Sequence, residues 1–506
     1  MEGGRVRYLG IGVGQVAYDQ TPGNDARVCA LHSRCEETKE YGWPERGGTG
    51  ERRSLVFQAG RFQAEKREEV EALLREHGAH VTRILLQWYP SGIKPPDFWG
   101  EWLSGNPAGL RRRIEEILDD EVKPQSSPGF PITTYGYRTN DSVTAQCKEE
   151  IVSLVISRLE RFVLIPSVSA LRGMELVEAG LCDAVKLFIK TEPHKQEKLK
   201  TGRYRLISNV SLVDQVIERL LNGPLNKAEI DSWEQCPSKP GIGFDENGQL
   251  PIKIWLQHRK GERVVESDVS GFDWSVHGAW LLWDASFRAS MYALDNSRVS
   301  AFLSRAFAIR AHCIASKVFI CSDGQLLDLP ECYGIQASGS YNTSSTNSRI
   351  RVGMRCLLDV LAGDVGCWDV LGVSPFCRTW LSPIIAMGDD ALEQDGAGIA
   401  GEDPYSKLGV KVTLKAADVS PFNEFEFCSY SWSCEQEKRA YPVNWAKSLM
   451  RLSGGCVQDM EVRCSSVLNE LTWCPNDVHG RVKQVLVDLG WYKGRVPTGF
   501  QESEAS

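Results

Sequence analysis

The chain has 506 residues, 42% of them hydrophobic and 25% charged, which predicts an ordinary folded protein too long for one small core. Its formal net charge of −8 excludes polyanion binding through bulk charge, so a nucleic-acid partner would need a local basic surface. No apolar run reaches the roughly 18 residues of a membrane span, and the N-terminus MEGGRVRYLG lacks a signal-peptide layout, so no membrane anchor is expected.

Residues 1–60 are rich in Gly, Arg and Glu with little periodicity, and a loop-rich or extended segment is expected there. The 16 cysteines are scattered without a C-x-x-C pair, which fits reduced thiols better than a disulfide framework. Cys29, His32 and Cys35 come nearest to a zinc pattern but lack a fourth ligand, so incidental spacing is the expectation. Apolar periodicity predicts helices over 61–80, 108–119, 145–162 and 212–222. KPQSSPGFP (123–131) is a turn cluster. The last residues, QESEAS, read as a loose polar tail.

The stretch 186–205 carries Lys186, Lys190, Lys195, Lys198, Lys200, Arg203 and Arg205, opposed only by Glu192 and Glu197. A triphosphate or a nucleic-acid backbone needs such a surface, and arginine forks match phosphate oxygens. Taken alone, a solvated charged loop explains it equally well.

ERVVESDVSGFDWS suggests a strand whose end presents Asp268, with Asp273 in the following turn. WLSPIIAMGDDALE suggests a hairpin with Asp389 and Asp390 at its tip. At ~4 Å and an effective dielectric of ~20, two such charges repel by ~4 kcal/mol, so a cation is expected between them. Carboxylates at strand ends suit Mg²⁺, a hard cation that uses few protein ligands plus phosphates. A solvent-exposed Gly-Asp turn is the plainer explanation of AMGDD by itself. ASGSYNTSSTNSR (337–349) is mostly Ser, Thr, Gly and Asn, groups that can follow a sugar-phosphate chain or cap a helix. A helix is predicted over 350–361, with Ser338-Gly339 in a flexible loop leading into it. EFEFCSYSW (424–432) alternates like a strand.

In this order the segments resemble the motifs of viral RNA-dependent RNA polymerases, most closely those of sobemoviruses and their polerovirus-like relatives. SSPGFP resembles motif G, KLFIKTEPHKQEKLKTGRYRLI motif F, SDVSGFDWS motif A, SGSYNTSSTN motif B, AMGDD motif C, LGVKVTLK motif D and FEFCSYSW motif E. The matched span is about 123–432. GDD alone is weak; the ordered set is specific.

The resemblance implies an α+β right-hand fold of fingers, palm and thumb, with an antiparallel palm sheet backed by helices. It implies N-terminal finger extensions over 1–120, fingers over 121–261, a palm over 262–432 with a finger insertion near 295–335, and a thumb over 433–506. It implies that Asp268, Asp389 and Asp390 hold Mg²⁺ (Mn²⁺ substituting) for two-metal nucleotidyl transfer. Lys190, Arg203 and Arg205 would meet the triphosphate. Asp273, Ser338, Thr343 and Asn347 would select the ribose, and Ser127, Gly129, Ser338 and Gly339 would line the template path. Either Lys411 or Lys415 would serve as general acid. The implied partners are RNA template and product, ribonucleoside triphosphates and other viral replication proteins. The implied location is the host cytoplasm, in replication complexes whose membrane association is indirect. A reverse transcriptase normally carries a bulky residue where Asp273 stands and an aromatic within its metal motif. A non-catalytic palm would have lost a metal acid, and all three are present.

Overall fold

The computed structural model describes residues 5–13, 23–295, 297–370, 372–455 and 457–494. The tail QESEAS lies outside them. The chain is a mixed α+β protein. Its centre is a four-stranded, wholly antiparallel sheet of β1 (Arg263–Val269), β2 (Ile384–Met387), β3 (Asp390–Gln394) and β4 (Val412–Asp418), in the order β4-β1-β3-β2. Val264, Val265, Ile384, Ile385 and Leu392 are buried on its two faces, as alternation in a covered sheet requires.

Four helices matter for the site: α1 (Leu212–Asp231), α2 (Gly278–Met291), α3 (Arg298–Ala315) and α4 (Thr343–Ala362). α1 runs nine residues past its predicted end, through Pro224. An interior proline costs about 3 kcal/mol. Burial of Leu220, Leu221, Leu225 and Glu229 on either side of it supplies the offsetting packing. α4 starts at Thr343, so the polar run that was expected to be loop is its first two turns. Ser345, Thr346, Asn347, Ser348 and Arg349 are all buried, with partners that local polarity does not reveal.

The other predicted helices form with shifted ends: Arg67–Leu85 after a short 3-10 turn, Ala108–Glu116 continuing into a π turn, and Asn140–Leu164. The last begins early because Thr139 and Ser142 form a capping box.

A second, mixed sheet orders Arg7–Ile11, Gln325–Asp328, Phe319–Ile320, Val185–Ile189 and Leu206–Asn209. Residues 23–60 hold more regular structure than expected, with helices Asp25–Arg34 and Gly48–Ala59. Leu31 and Tyr41 share a core with Leu449, Met450, Leu468 and Leu486, and Tyr41–Gly42 pairs with His194–Lys195. The N-terminal segment therefore joins the C-terminal helices to the basic segment. Every described cysteine is a free thiol. Among the described residues, no helix is long and apolar enough to cross a membrane.

Candidate active site

Antiparallel register places Asp268 opposite Asp390 on one side and Thr413 on the other. Met387 and Asp390 close a two-residue turn of Gly388 and Asp389. Gly388 has φ +68°, while Asp389 is not among the positive-φ residues, the pattern of a type II′ hairpin. The Gly388 N–H donates to Ser348 Oγ at 2.9 Å, which ties the turn to α4. Asp268 and Asp389 are exposed and Asp390 is half-buried.

None of the three acids has an ion-pair partner among the described residues. Partial loss of hydration at the crowded strand end and the Asp389 charge raise the Asp268 carboxyl, although the residue as a whole is exposed. Burial, then Asp389 and Asp268, push Asp390 up to about 7. Among the described residues no three His, Cys, Asp or Glu side chains form a ready metal cage. The donor set is hard oxygen, its charge only partly offset by Arg351 and Arg61 at longer range, which fits Mg²⁺, an ion that completes its shell with water and phosphate.

The inner face of this sheet is held by buried charge. Arg351 Nη2 donates to Ser267 Oγ at 2.6 Å and to Glu393 Oε1 at 2.8 Å. Tyr405 donates to Glu393 Oε2 at 2.6 Å, and Arg355 pairs with Glu393 at 3.3 Å. Ser267 and Glu393 lie on β1 and β3, so α4 clamps the two acid-bearing strands.

Asn347 Nδ2 donates to Asp273 Oδ1 at 2.7 Å. Burial pushes the Asp273 carboxyl up to about 6, partly offset by that hydrogen bond. The other two residues expected at the sugar shape the loop. Ser338 Oγ accepts from the Ser208 N–H at 3.0 Å, and the Thr343 hydroxyl donates to Ala337 O at 2.7 Å. Gly339 N–H donates to Ser208 O at 2.9 Å. A Cβ on Gly339 would sit 2.3 Å from that same oxygen, so only glycine fits. The Ser127–Gly129 segment reaches the same place, with Leu212 N–H donating to Pro128 O at 2.8 Å. The residues expected along a template path thus border one stretch, 208–212.

Within the basic segment, Lys190 and Arg205 both pair with Glu192, at 3.3 and 2.7 Å, and Arg203 pairs with Glu197. Lys186 is buried and belongs to the sheet rather than the basic surface. Lys415 lies 3.2 Å from both Glu266 carboxylate oxygens. Lys411 is exposed and has no ion-pair partner among the described residues. Its carbonyl accepts from Ser270 N–H at 2.9 Å, which places it at the acid-bearing end of the sheet.

A family model described as viral RNA-directed RNA polymerase matches residues 24–468. The chain belongs to that family. It is 36% identical over 423 residues to the replicase polyprotein P2AB of Southern cowpea mosaic virus, covering 82% of this chain and 40% of that protein. It is 35% identical over 351 residues to the RNA-directed RNA polymerase of Mushroom bacilliform virus, covering 68% and 77%. Protein P1-P2 of Potato leafroll virus is 32% identical over 472 residues, covering 88% and 40%. The chain therefore spans about two fifths of the longer relatives it matches.

This member of the polymerase family also brings to the site residues that the sequence reading missed. Arg61 Nη1 donates to Ser270 Oγ at 2.7 Å, two residues from Asp268. Arg61 and Arg203 each lie 5.2 Å from the Phe57 ring, a pair of cation–π contacts. Glu192 is gripped from the C-terminal side by Lys447 at 3.1 Å and Arg451 at 3.9 Å. Burial opposes its ionisation, yet Arg205, Lys447 and Lys190 hold its carboxyl down at about 2. No local signal marks Arg61, Lys447 or Arg451, because each lies in a segment without a recognisable motif.

Proposed function

We propose that this chain is an RNA-directed RNA polymerase that extends an RNA 3′ end with ribonucleoside triphosphates on an RNA template. One observation carries the reading: three carboxylates without an ion-pair partner among the described residues stand at one sheet end, two on strands and one in the turn between, beside the Asp273–Asn347 pair and the Arg61–Phe57–Arg203 contact. In this reading the four-stranded sheet is the palm within 262–432, and 121–261 with the 295–335 insertion forms the fingers. Residues 433–506 form the thumb, and the N-terminal 120 residues strap fingers to thumb.

Asp268 and Asp389, with Asp390 beside them, would hold Mg²⁺, which when bound supplies charge stabilisation for in-line phosphoryl displacement. Lys190, Arg203 and Arg205 bind and orient the triphosphate, exchanging their glutamate partners for phosphate oxygens. Asp273 and Asn347 address the ribose 2′-hydroxyl, which both donates and accepts. Ser338 and Thr343 keep the loop in shape around that pocket, and Ser127, Gly129 and Gly339 leave room for the template. Lys411 is better placed than Lys415 to give a proton from Nζ to the leaving pyrophosphate, because Lys415 is tied to Glu266. The similarity to a replicase polyprotein supports other viral replication proteins as partners; the setting proposed with them is the host cytoplasm, in replication complexes whose membrane association is indirect.

The test is extension of a short hairpin RNA with labelled ribonucleotides and Mg²⁺. Incorporation that vanishes in Asp389→Ala supports the reading. No incorporation by the wild type with Mg²⁺ or Mn²⁺ on varied templates overturns it.

A further inference from the structure

Lys317 follows the C-terminus of α3, in a region to which no motif assigns a role. It is buried, with 7% relative exposure. Its ammonium donates to Ile314 O at 2.9 Å, Gly334 O at 3.2 Å and, at short range, Ile335 O. Three acceptors match its three protons, and among the described residues no carboxylate pairs with it. A buried charge without a counter-ion is expensive, so its position calls for a reason.

Ile335 supplies one. It has φ +63°, a backbone conformation that a β-branched side chain adopts only under constraint. Its side chain is 1% exposed, and its N–H donates to Val276 O at 2.7 Å. The next residue, Gln336, donates its N–H to the backbone carbonyl of Asp273 at 2.7 Å. Gly278 N–H completes the zipper with Tyr333 O at 2.9 Å. The segment 333–336 therefore forms the floor under Asp273, and two residues further on begins the Ser338–Gly339 loop. Lys317 fastens that floor from below by the carbonyls of Gly334 and Ile335, and by Ile314 O it binds the floor to the end of α3. Burial pulls the Lys317 ammonium down to about 7, and Asp273 is the foremost charge opposing this. The two groups feel each other across the floor.

We infer that Lys317 is a positioning residue for sugar selection: it holds the strained Gly334–Gln336 segment so that Asp273 meets Asn347 and the ribose. The inference rests on the reading of Asp273 and Asn347 as the ribose-contacting pair. It assigns to the finger insertion a part in nucleotide discrimination that neither side chain supplies alone.

The experiment is single-nucleotide extension on a hairpin RNA, with kcat and KM for one ribonucleotide and its 2′-deoxy counterpart. The proteins are wild type, Lys317→Met, Lys317→Arg and Asp273→Ala, with thermal unfolding of each. Lys317→Met keeps the length and removes the donors. It is expected to lower the ribo/deoxy ratio of kcat/KM by about tenfold, mostly through a higher ribonucleotide KM. Lys317→Arg, which keeps charge and donors, is expected to retain most of the ratio.

A folded Lys317→Met with the wild-type ratio overturns the inference, as does an equal loss of kcat on both sugars, which would mark a structural role only. If Lys317→Met does not fold, Lys317→Arg decides: a folded Arg variant with a lost ratio, or no folded variant at all, also overturns it. An unchanged ratio in Asp273→Ala brings down the underlying ribose reading along with the inference. A changed ratio there with none at Lys317 brings down the inference alone.

Discussion

Asp268 faces Asp390 across two antiparallel strands, and the exposed Asp389 stands beside them in a two-residue turn. Three carboxylates without an ion-pair partner among the described residues repel one another, and under the proposed function a divalent ion would relieve that repulsion. Asp268→Ala or Asp389→Ala should therefore lower RNA extension by about 10²–10³-fold or more. The same variants should lose the Mg²⁺-dependent rise in melting temperature. A variant that keeps both the rate and the metal shift removes that acid from the metal set.

The same repulsion sets a pH dependence in metal-free protein. Asp390 is raised from an ordinary 3.8 to about 7. For a raised carboxyl the stabilising contribution is complete below the ordinary value and is lost as pH rises through about 7. In EDTA, wild type should lose about 1–2 kcal/mol relative to Asp390→Asn between pH 5 and 8, after allowance for solvent screening. Mg²⁺ should flatten the difference. Parallel pH curves for the two proteins would contradict this.

Glu192 titrates with the opposite sign. Its carboxyl, held at about 2 against an ordinary 4.5, contributes stability that is present above 4.5 and lost as pH falls through 2. Glu192→Gln should cost about 1–3 kcal/mol at pH 7, and the gap should narrow as the pH falls below 4.5. Because Glu192 joins Lys190 and Arg205 to Lys447 and Arg451, the variant should also become more sensitive to proteolysis around 440–455. Denaturant unfolding across pH and limited proteolysis check both statements.

Gly339 lies against the Ser208 carbonyl, where a Cβ would intrude to 2.3 Å. Gly339→Ala must move the loop, because backbone cannot yield as a flexible side chain can. Extension should fall by about tenfold or more, with a stability loss of about 1–3 kcal/mol. Retention of full activity would mean that the 338–340 loop has freedom to shift during the reaction.

Arg351 is buried and bridges Ser267 of β1 to Glu393 of β3. Arg351→Met leaves the Glu393 charge with Arg355, Tyr405 and the Ser267 hydroxyl. Breaking a buried pair from one side costs about 3–5 kcal/mol, measured by urea unfolding, and activity should fall with the loosened register. Replacing both partners, as in Arg351→Met with Glu393→Leu, should recover part of that loss.

The sequence by itself determined what depends on neighbouring residues. The alternation of VVESDV made β1, Gly388 made the tight turn before Asp389, and Thr139 and Ser211 started their helices. The chemistry of the acids, the basic segment and the polar run was also legible, because residue type and spacing carry it. Only the tertiary structure decided which groups meet. The opposition of Asp268 and Asp390 is a register between segments far apart in the chain. The Asn347–Asp273 bond, the grip of Lys447 on Glu192 and the reach of Arg61 to Ser270 join partners separated by 74, 255 and 209 residues. Long-range contacts leave no trace in local periodicity, since they arise from loop closure and packing of whole elements. For the same reason α4 began at Thr343 and not after Arg349: side chains that read as solvent-seeking in the sequence found buried partners on α1 and α2.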